Sequence, residues 1–300
     1  MKLFYKTIYN PAVNAVIRTI LYPFRSLLPF TLKIPINGVI NVPITNDISI
    51  KVGTNETSYI NRVMYWEGID SFEYTPIFKK LVPTIRCFVD IGANFGYYSL
   101  ITCALNPKAT VYAFEPSYGP KHYLHMNKNL NGFSNLHIQE IALSNEDGSI
   151  DFYEEFNPKY SYLEHHLGGV GSMANTQSKY PVRKTTVSTT TFNKFVQKES
   201  ITSIDLVKID TEATEHIILQ GASDIIETIR PIFIIEVLFN QIEEKLHSLF
   251  SPHSYRFFWE TKNGLVETPT LLRTEDNGYR NCFIVPAEKY QTIQHLLQQS

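Results

Sequence analysis

Residues 88–96 read F-V-D-I-G-A-N-F-G. A short apolar run closes on a carboxylate, Asp90, and two glycines follow, Gly92 and Gly96. Phe95, Tyr98, Leu100 and Ile101 then fall at helical spacing. A strand, a tight glycine turn and a helix start aim backbone N–H groups outward. They also place Asp90 at the carboxyl end of a strand, where open α/β sheets take their ligands.

Downstream, apolar runs alternate with helical patterns. T-V-Y-A-F-E (110–115) reads as a second strand, followed by a helix over 118–131 that ends at Asn131-Gly132. L-H-I-Q-E-I-A-L (136–143) is a third strand, I-D-L-V-K-I-D (204–210) a fourth with a helix to Gly221, and P-I-F-I-I-E-V (231–237) a fifth with a helix over roughly 240–250. Near-continuous apolar strands separated by helices predict a parallel sheet buried on both faces. Two later strands, Y-R-F-F-W-E (255–260) and N-C-F-I-V-P (281–286), have no helical pattern between them and imply an antiparallel addition. Residues 149–203, rich in Ser, Thr, Tyr and Gly, read as a long insertion between the third and fourth strands. Upstream, 34–52 carries two or three short strands and 73–82 a short helix. The expected organisation is an accessory N-terminal region, 1–70, and a ligand-binding α/β domain, 71–300.

Three hundred residues, 43% hydrophobic and 19% charged, suffice for one large α/β domain. A net charge of −2 argues against a surface that grips nucleic-acid phosphates. Cys87, Cys103 and Cys282 lack C-x-x-C spacing, so they read as buried thiols rather than a zinc site or disulfide framework, and fit a reducing, cytoplasmic setting. No stretch is long and apolar enough to cross a bilayer. The first 46 residues carry Lys2, Lys6, Arg18, Arg25 and Lys33, and no acid precedes Asp47. Val13, Val16, Ile17, Ile20, Phe24, Leu27 and Leu28 recur at helical spacing, with Asn10-Pro11 as cap and Pro23 as stop. This helix is expected to pack its apolar stripe on the following domain. The alternative is a peripheral contact of residues 1–30 with an anionic membrane.

The strand ends carry acids: Asp90, Glu115, Glu140 (two residues short of its end), Asp210 and Glu236. Such a rim suits a ligand with positive charge and sugar hydroxyls, although each acid alone also serves as a helix cap. Glu115 lies 23 residues beyond Gly92, where an acidic side chain accepts hydrogen bonds from both hydroxyls of a ribose. The loop G-A-N-F-G lacks the G-x-G-x-x-G that admits a pyrophosphate. A sulfonium amino-acid cofactor fits it better than NAD does.

The blocks V-D-I-G-A-N-F-G-Y-Y-S-L, Y-A-F-E-P, I-A-L-S, D-L-V-K-I-D-T-E-A-T-E-H-I-I-L-Q-G-A and R-P-I-F-I-I-E-V, spanning roughly 85–240, resemble the FkbM family of S-adenosylmethionine-dependent methyltransferases. The resemblance implies a Rossmann-like class I methyltransferase fold: a mostly parallel seven-stranded sheet, its last strand antiparallel, with helices on both faces. It implies cofactor roles for Asp90, Gly92, Asn94, Gly96 and Glu115, with Ala93 and Pro116 beside them and Glu140 and Ala142 on the third strand. Members typically methylate a hydroxyl oxygen, so the implied acceptor is a small molecule or glycan. Two departures stand out. The family's D-x-E-G-A-E block is Asp210-Thr211-Glu212-Ala213-Thr214-Glu215 here, and its E-x-H is Glu236-Val237-Leu238. These keep open a silent cofactor-binding protein of the same fold; an NAD-dependent oxidoreductase ranks lower because of the loop. The base candidates for proton removal are Asp210, Glu212 and Glu236, Asp210 first by its place on the sheet edge. A divalent cation on Asp210 and Glu236 ranks below direct base catalysis, and no metal is expected. His165-His166, His122 and His125 read as solvated polar residues.

Overall fold

A computed structural model describes residues 2–168, 171–172 and 181–298. Its main sheet has eight strands in the order 264–268, 255–261, 281–286, 232–236, 206–209, 87–91, 110–114, 136–139. The last five in that order run parallel, and Asn281–Pro286 enters antiparallel between Ile232–Glu236 and Tyr255–Thr261. This is the expected class I arrangement with one strand added. Asn263-Gly264 turns the chain back so that Gly264–Thr268 pairs antiparallel with Tyr255–Thr261 and extends the edge.

Side-chain alternation sets the two layers. Phe88, Val111, Leu206 and Ile234 point to one face, where Phe78, Leu100, Ile101 and Leu124 cover them. Val89, Ile91, Phe114, Val207 and Phe233 point to the other, under Phe192, Ile218, Leu246 and Phe250. The helices Tyr97–Leu105 and Tyr118–Asn131 serve the first face, and Phe192–Lys198, Glu215–Gln220 and Glu243–Phe250 the second.

Two segments differ from the sequence reading. The third strand stops at Gln139; Ala142–Ser144 leaves the main sheet and pairs in parallel with Thr189–Thr191. The stretch expected as a long insertion is largely a second sheet, in which Gly148–Glu155 and Val182–Thr191 pair antiparallel along their length. The high share of β-branched residues in V-R-K-T-T-V-S-T-T-T explains why it is sheet rather than loop.

The N-terminal residues share the first apolar layer. Strands Gly38–Pro43 and Ser49–Thr54 form a hairpin whose Ile40, Val42, Ile50 and Val52 are buried in the same cluster as Phe88 and Leu124. Asparagines on the helix Tyr118–Asn131 dock this hairpin. Asn127 accepts from the Gly53 N–H at 2.7 Å and donates to the Phe95 carbonyl at 3.0 Å. Asn131 accepts from the Lys51 N–H at 2.8 Å and donates to its carbonyl at 2.7 Å.

The helix Pro11–Leu21 reverses expectation. It buries Asn14 and Arg18 and leaves Val13, Val16 and Ile20 exposed. The reason is local: the chain at 35–39 presents backbone carbonyls that need donors. Asn14 donates to Pro35 O at 3.1 Å, and Arg18 donates to Asn37 O at 3.0 Å and Val39 O at 3.1 Å. Unpaired buried carbonyls would cost more than exposing an apolar stripe. Among the described residues no helix is long and apolar enough to cross a membrane.

Because Asn127 lies fully buried between the hairpin and the glycine loop, Asn127→Ala orphans a backbone N–H and a carbonyl together. A loss of about 2–3 kcal/mol in urea unfolding is expected; a change below about 0.5 kcal/mol would show that this bridge does not hold the two parts together.

Candidate active site

A cleft partly open to solvent lies at the carboxyl ends of strands Cys87–Ile91, Thr110–Phe114 and Leu206–Ile209. Gly92, Ala93, Asn94, Glu115, Pro116 and Ala142 line it together with Glu73, Asp210 and Glu212. Ile91, Phe114, Ile141, Leu143 and Ile218 add apolar wall.

The glycine loop is shaped by its surroundings. Gly92 and Ala93 donate to Phe114 O at 3.1 and 2.9 Å, which folds the loop over the end of the neighbouring strand. Gly92 has φ +75°, and a Cβ there would come within 2.0 Å of the Asp210 carbonyl oxygen. Gly96 has φ +96°, and its Cβ would meet Leu124 at 2.6 Å. Both glycines are therefore required by the protein's own packing.

Glu115 is 5% exposed, and burial raises its pKa against the opposing hydrogen bonds. One carboxylate oxygen accepts from the Asn94 N–H at 2.7 Å and the other from the Ser117 N–H at 2.8 Å. Two backbone donors fix its plane, and each oxygen keeps a lone pair for a ligand hydroxyl.

Lys208, inside the central strand, is 5% exposed. It donates to the Gly92 carbonyl at 3.0 Å and sits 3.3 Å from Asp210 and 3.6 Å from Asp90. Burial opposes its charge, but the flanking carboxylates outweigh burial and raise its pKa. Asp90 is buried beneath it, accepts from Ser99 Oγ at 2.6 Å, and does not line the cleft. Glu73 accepts from the Tyr98 hydroxyl at 2.9 Å, and burial, reinforced by Asp210, pushes it up to about 7. Sequence reasoning assigned no role to either Lys208 or Glu73. A lysine in the middle of the buried run D-L-V-K-I-D was the signal for the first; nothing in the pattern marked the second.

The remaining residues spread outward. Glu140 leaves the cofactor set: it is half-exposed and pairs with Lys121 at 3.0 Å and His125 at 2.9 Å. Gly96 serves the turn rather than the cleft lining. Glu236 ends its strand outside the lining, with Oε2 buried and unpartnered, and burial among Asp210, Glu212 and Glu215 pushes it up to about 8. Glu212 and Ala213 have φ +57° and +72°, left-handed backbone that explains why the resembling pattern carries glycine where this chain has Ala213. Asp210, Glu212 and Glu236 make no metal-holding group among the described residues. His165 is not simply solvated: its ring stacks on His122 at 3.9 Å and on Tyr118 at 4.7 Å.

The profile of the methyltransferase FkbM domain matches residues 90–280. The chain belongs to the FkbM methyltransferase family. Over 150 residues it is 27% identical to 2-O-methyltransferase NoeI of Sinorhizobium fredii (strain NBRC 101917 / NGR234), a match covering 48% of this chain and 60% of that protein. The chain thus spans about 60% of the length of this relative. Among solved structures, methyltransferase FkbM from Methylobacillus flagellatus KT aligns at 12% identity and TM-score 0.42, over 66% of this chain and 43% of that one. M. jannaschii TYW2, solved in complex with AdoMet, aligns at 12% identity and TM-score 0.39, over 83% and 84%.

The methyl donor implied by membership of this methyltransferase family is S-adenosylmethionine. The residues fit it: Glu115 offers paired acceptors for ribose hydroxyls, apolar side chains offer a wall for the adenine, and Asp210 offers a carboxylate for a cation. A pyrophosphate finds no such match, since the cleft's acids outnumber its lysine and Lys208 is already paired.

The raised carboxylate at Glu236 makes stability pH-dependent. Its ordinary value is 4.5. Between about 4.5 and 8 the unfolded chain gives up this proton while the folded chain keeps it, so its contribution falls as pH rises through that window. Glu236→Gln should therefore gain on the wild type in thermal midpoint from pH 5 to pH 9. A difference that does not change with pH would remove the buried, protonated carboxylate from the account.

Proposed function

We propose that the chain methylates a hydroxyl oxygen on a sugar, glycan or secondary metabolite, with Asp210 removing the hydroxyl proton. Bound S-adenosylmethionine supplies a methyl group already activated by its sulfonium. The chain's residues then have to hold the acceptor in line, exclude water and take one proton.

The observation that carries this reading is the exposure of Asp210 within an otherwise buried set. Its side chain is 40% exposed, whereas its partner Lys208 is 6% exposed and Asp90 is 1%. Lys208 bonds the Gly92 carbonyl and pairs with Asp210, and so fixes Asp210 against the loop whose residues line the cleft. Glu73 and Glu212 line the same cleft as Asp210 and stand ready to hydrogen-bond an acceptor's hydroxyls. Glu236 lies outside the lining, and burial among the other carboxylates keeps it protonated. The relative named a 2-O-methyltransferase supports oxygen as the atom methylated.

The test is a screen with a labelled methyl donor against sugars, oligosaccharides and phenols, followed by Asp210→Asn on the acceptor found. A loss of about 10²–10⁴ in kcat with S-adenosylhomocysteine binding intact is expected. Unchanged turnover would remove Asp210 as base. Cofactor binding with no acceptor methylated in the whole panel would favour a silent protein of this fold.

A further inference from the structure

The N-terminal layer presents an apolar face that the fold does not use. Among the described residues, eight of the thirteen exposed large apolar side chains lie within residues 1–32: Phe4, Val13, Val16, Ile20, Tyr22, Phe24, Leu27 and Leu32. That concentration is far from the scattered exposure of an ordinary surface. Val13, Val16 and Ile20 form one helical stripe, and Phe24 and Leu27 continue it past the helix end. Ile20 is 64% exposed and Leu27 80%.

The stripe faces outward for a built-in reason. Arg18 and Asn14 hold the opposite side of the helix to the carbonyls of Pro35, Asn37 and Val39, and the Asn37 N–H returns a bond to Asn14 at 2.9 Å. Rolling the helix to bury the stripe would break all of these. Arg62 braces the next segment, donating to Lys33 O at 2.6 Å and to Phe30 O, with its guanidinium over the Phe30 ring at 4.3 Å. The outward orientation is thus a property of the folded chain.

Charge selects the occupant. Residues 1–46 contain five lysines and arginines and no acid, in a chain whose net charge is −2. Two of these cations are spent inside: Arg18 on carbonyls and Lys33 on Glu67 at 2.5 Å. Lys6 and Arg25 remain exposed in the same layer, Arg25 at 4.3 Å over the Tyr22 ring. An apolar stripe with aromatic and cationic flanks, in a segment that carries no acid of its own, is complementary to a lipid surface carrying negative headgroups.

We propose that residues 4–32 dock this protein peripherally on an anionic lipid bilayer, with Val16, Ile20, Phe24 and Leu27 entering the headgroup–acyl boundary. The helix Tyr59–Glu67 connects that surface to the cleft. Tyr65 and Trp66 pack against Tyr22, with Tyr65 5.2 Å from it, while Ile60 lines the cleft. Docking therefore holds the cleft at a fixed relation to the membrane.

The test is flotation of the full chain with vesicles of phosphatidylcholine alone and of phosphatidylcholine with about one quarter phosphatidylglycerol. The wild type should float with the anionic vesicles at least about tenfold more than with neutral ones, less so at high salt. Ile20→Glu with Leu27→Glu, both at exposed positions, should abolish flotation while leaving the circular dichroism and thermal midpoint unchanged. Absence of flotation, or flotation unaffected by the double variant, would overturn the proposal. So would a dimer in light scattering that the double variant disperses, because a second copy would then cover the stripe.

Discussion

A single buried ammonium holds the candidate site together. Lys208 projects from the central strand into a space bounded by Asp90, Asp210 and the Gly92 carbonyl. Two carboxylates and a carbonyl dipole converging there without a cation would repel one another in a medium of low polarity. With Lys208 in place they attract, and the glycine loop is pinned to the strand beside it. Gly92 can then pass over the Asp210 carbonyl at a distance no side chain permits. In the loop so placed, the Asn94 N–H meets Glu115, and Asp210 stays half-exposed beside it.

The backbone around the cleft departs from ordinary conformations where the chemistry needs it. Asn94, Glu212 and Ala213 all lie in left-handed space. Such positions persist where surrounding bonds over-determine them. Asn94 is held by its N–H on Glu115 and by the Phe95 N–H on its own side chain at 2.8 Å. After Ala213, Thr214 donates to Thr211 O at 2.9 Å, and Glu215 accepts from the Thr211 N–H at 2.7 Å. The left-handed turn at 212–213 carries Glu212 into the cleft lining between these bonds. Alanine at 213 adopts this conformation at a cost of about 1–2 kcal/mol that glycine would avoid.

The parts of the fold that hydrophobic periodicity encodes were legible in the sequence. The five parallel strands, the antiparallel return and the helix Tyr118–Asn131 ending at Gly132 all show as apolar runs with turn residues between them. Glu115 and the glycine turn were legible because their spacing encodes a strand–turn–helix unit. What was not legible depends on partners distant in sequence. Glu140 and Glu115 both stand near strand ends, but only contact with Lys121 and His125 reveals that Glu140 faces away. The helix Pro11–Leu21 carries an apolar stripe that periodicity assigns to a core. The carbonyls of Pro35, Asn37 and Val39, contributed by a later segment, turned the other face inward.

The central claim is that this closure shapes a cleft for a sulfonium nucleoside rather than a dinucleotide. Titration calorimetry of the full chain with S-adenosylmethionine, S-adenosylhomocysteine and NAD tests it most directly. The account predicts saturable binding of the first two and no heat from NAD. Binding of NAD alone would contradict it.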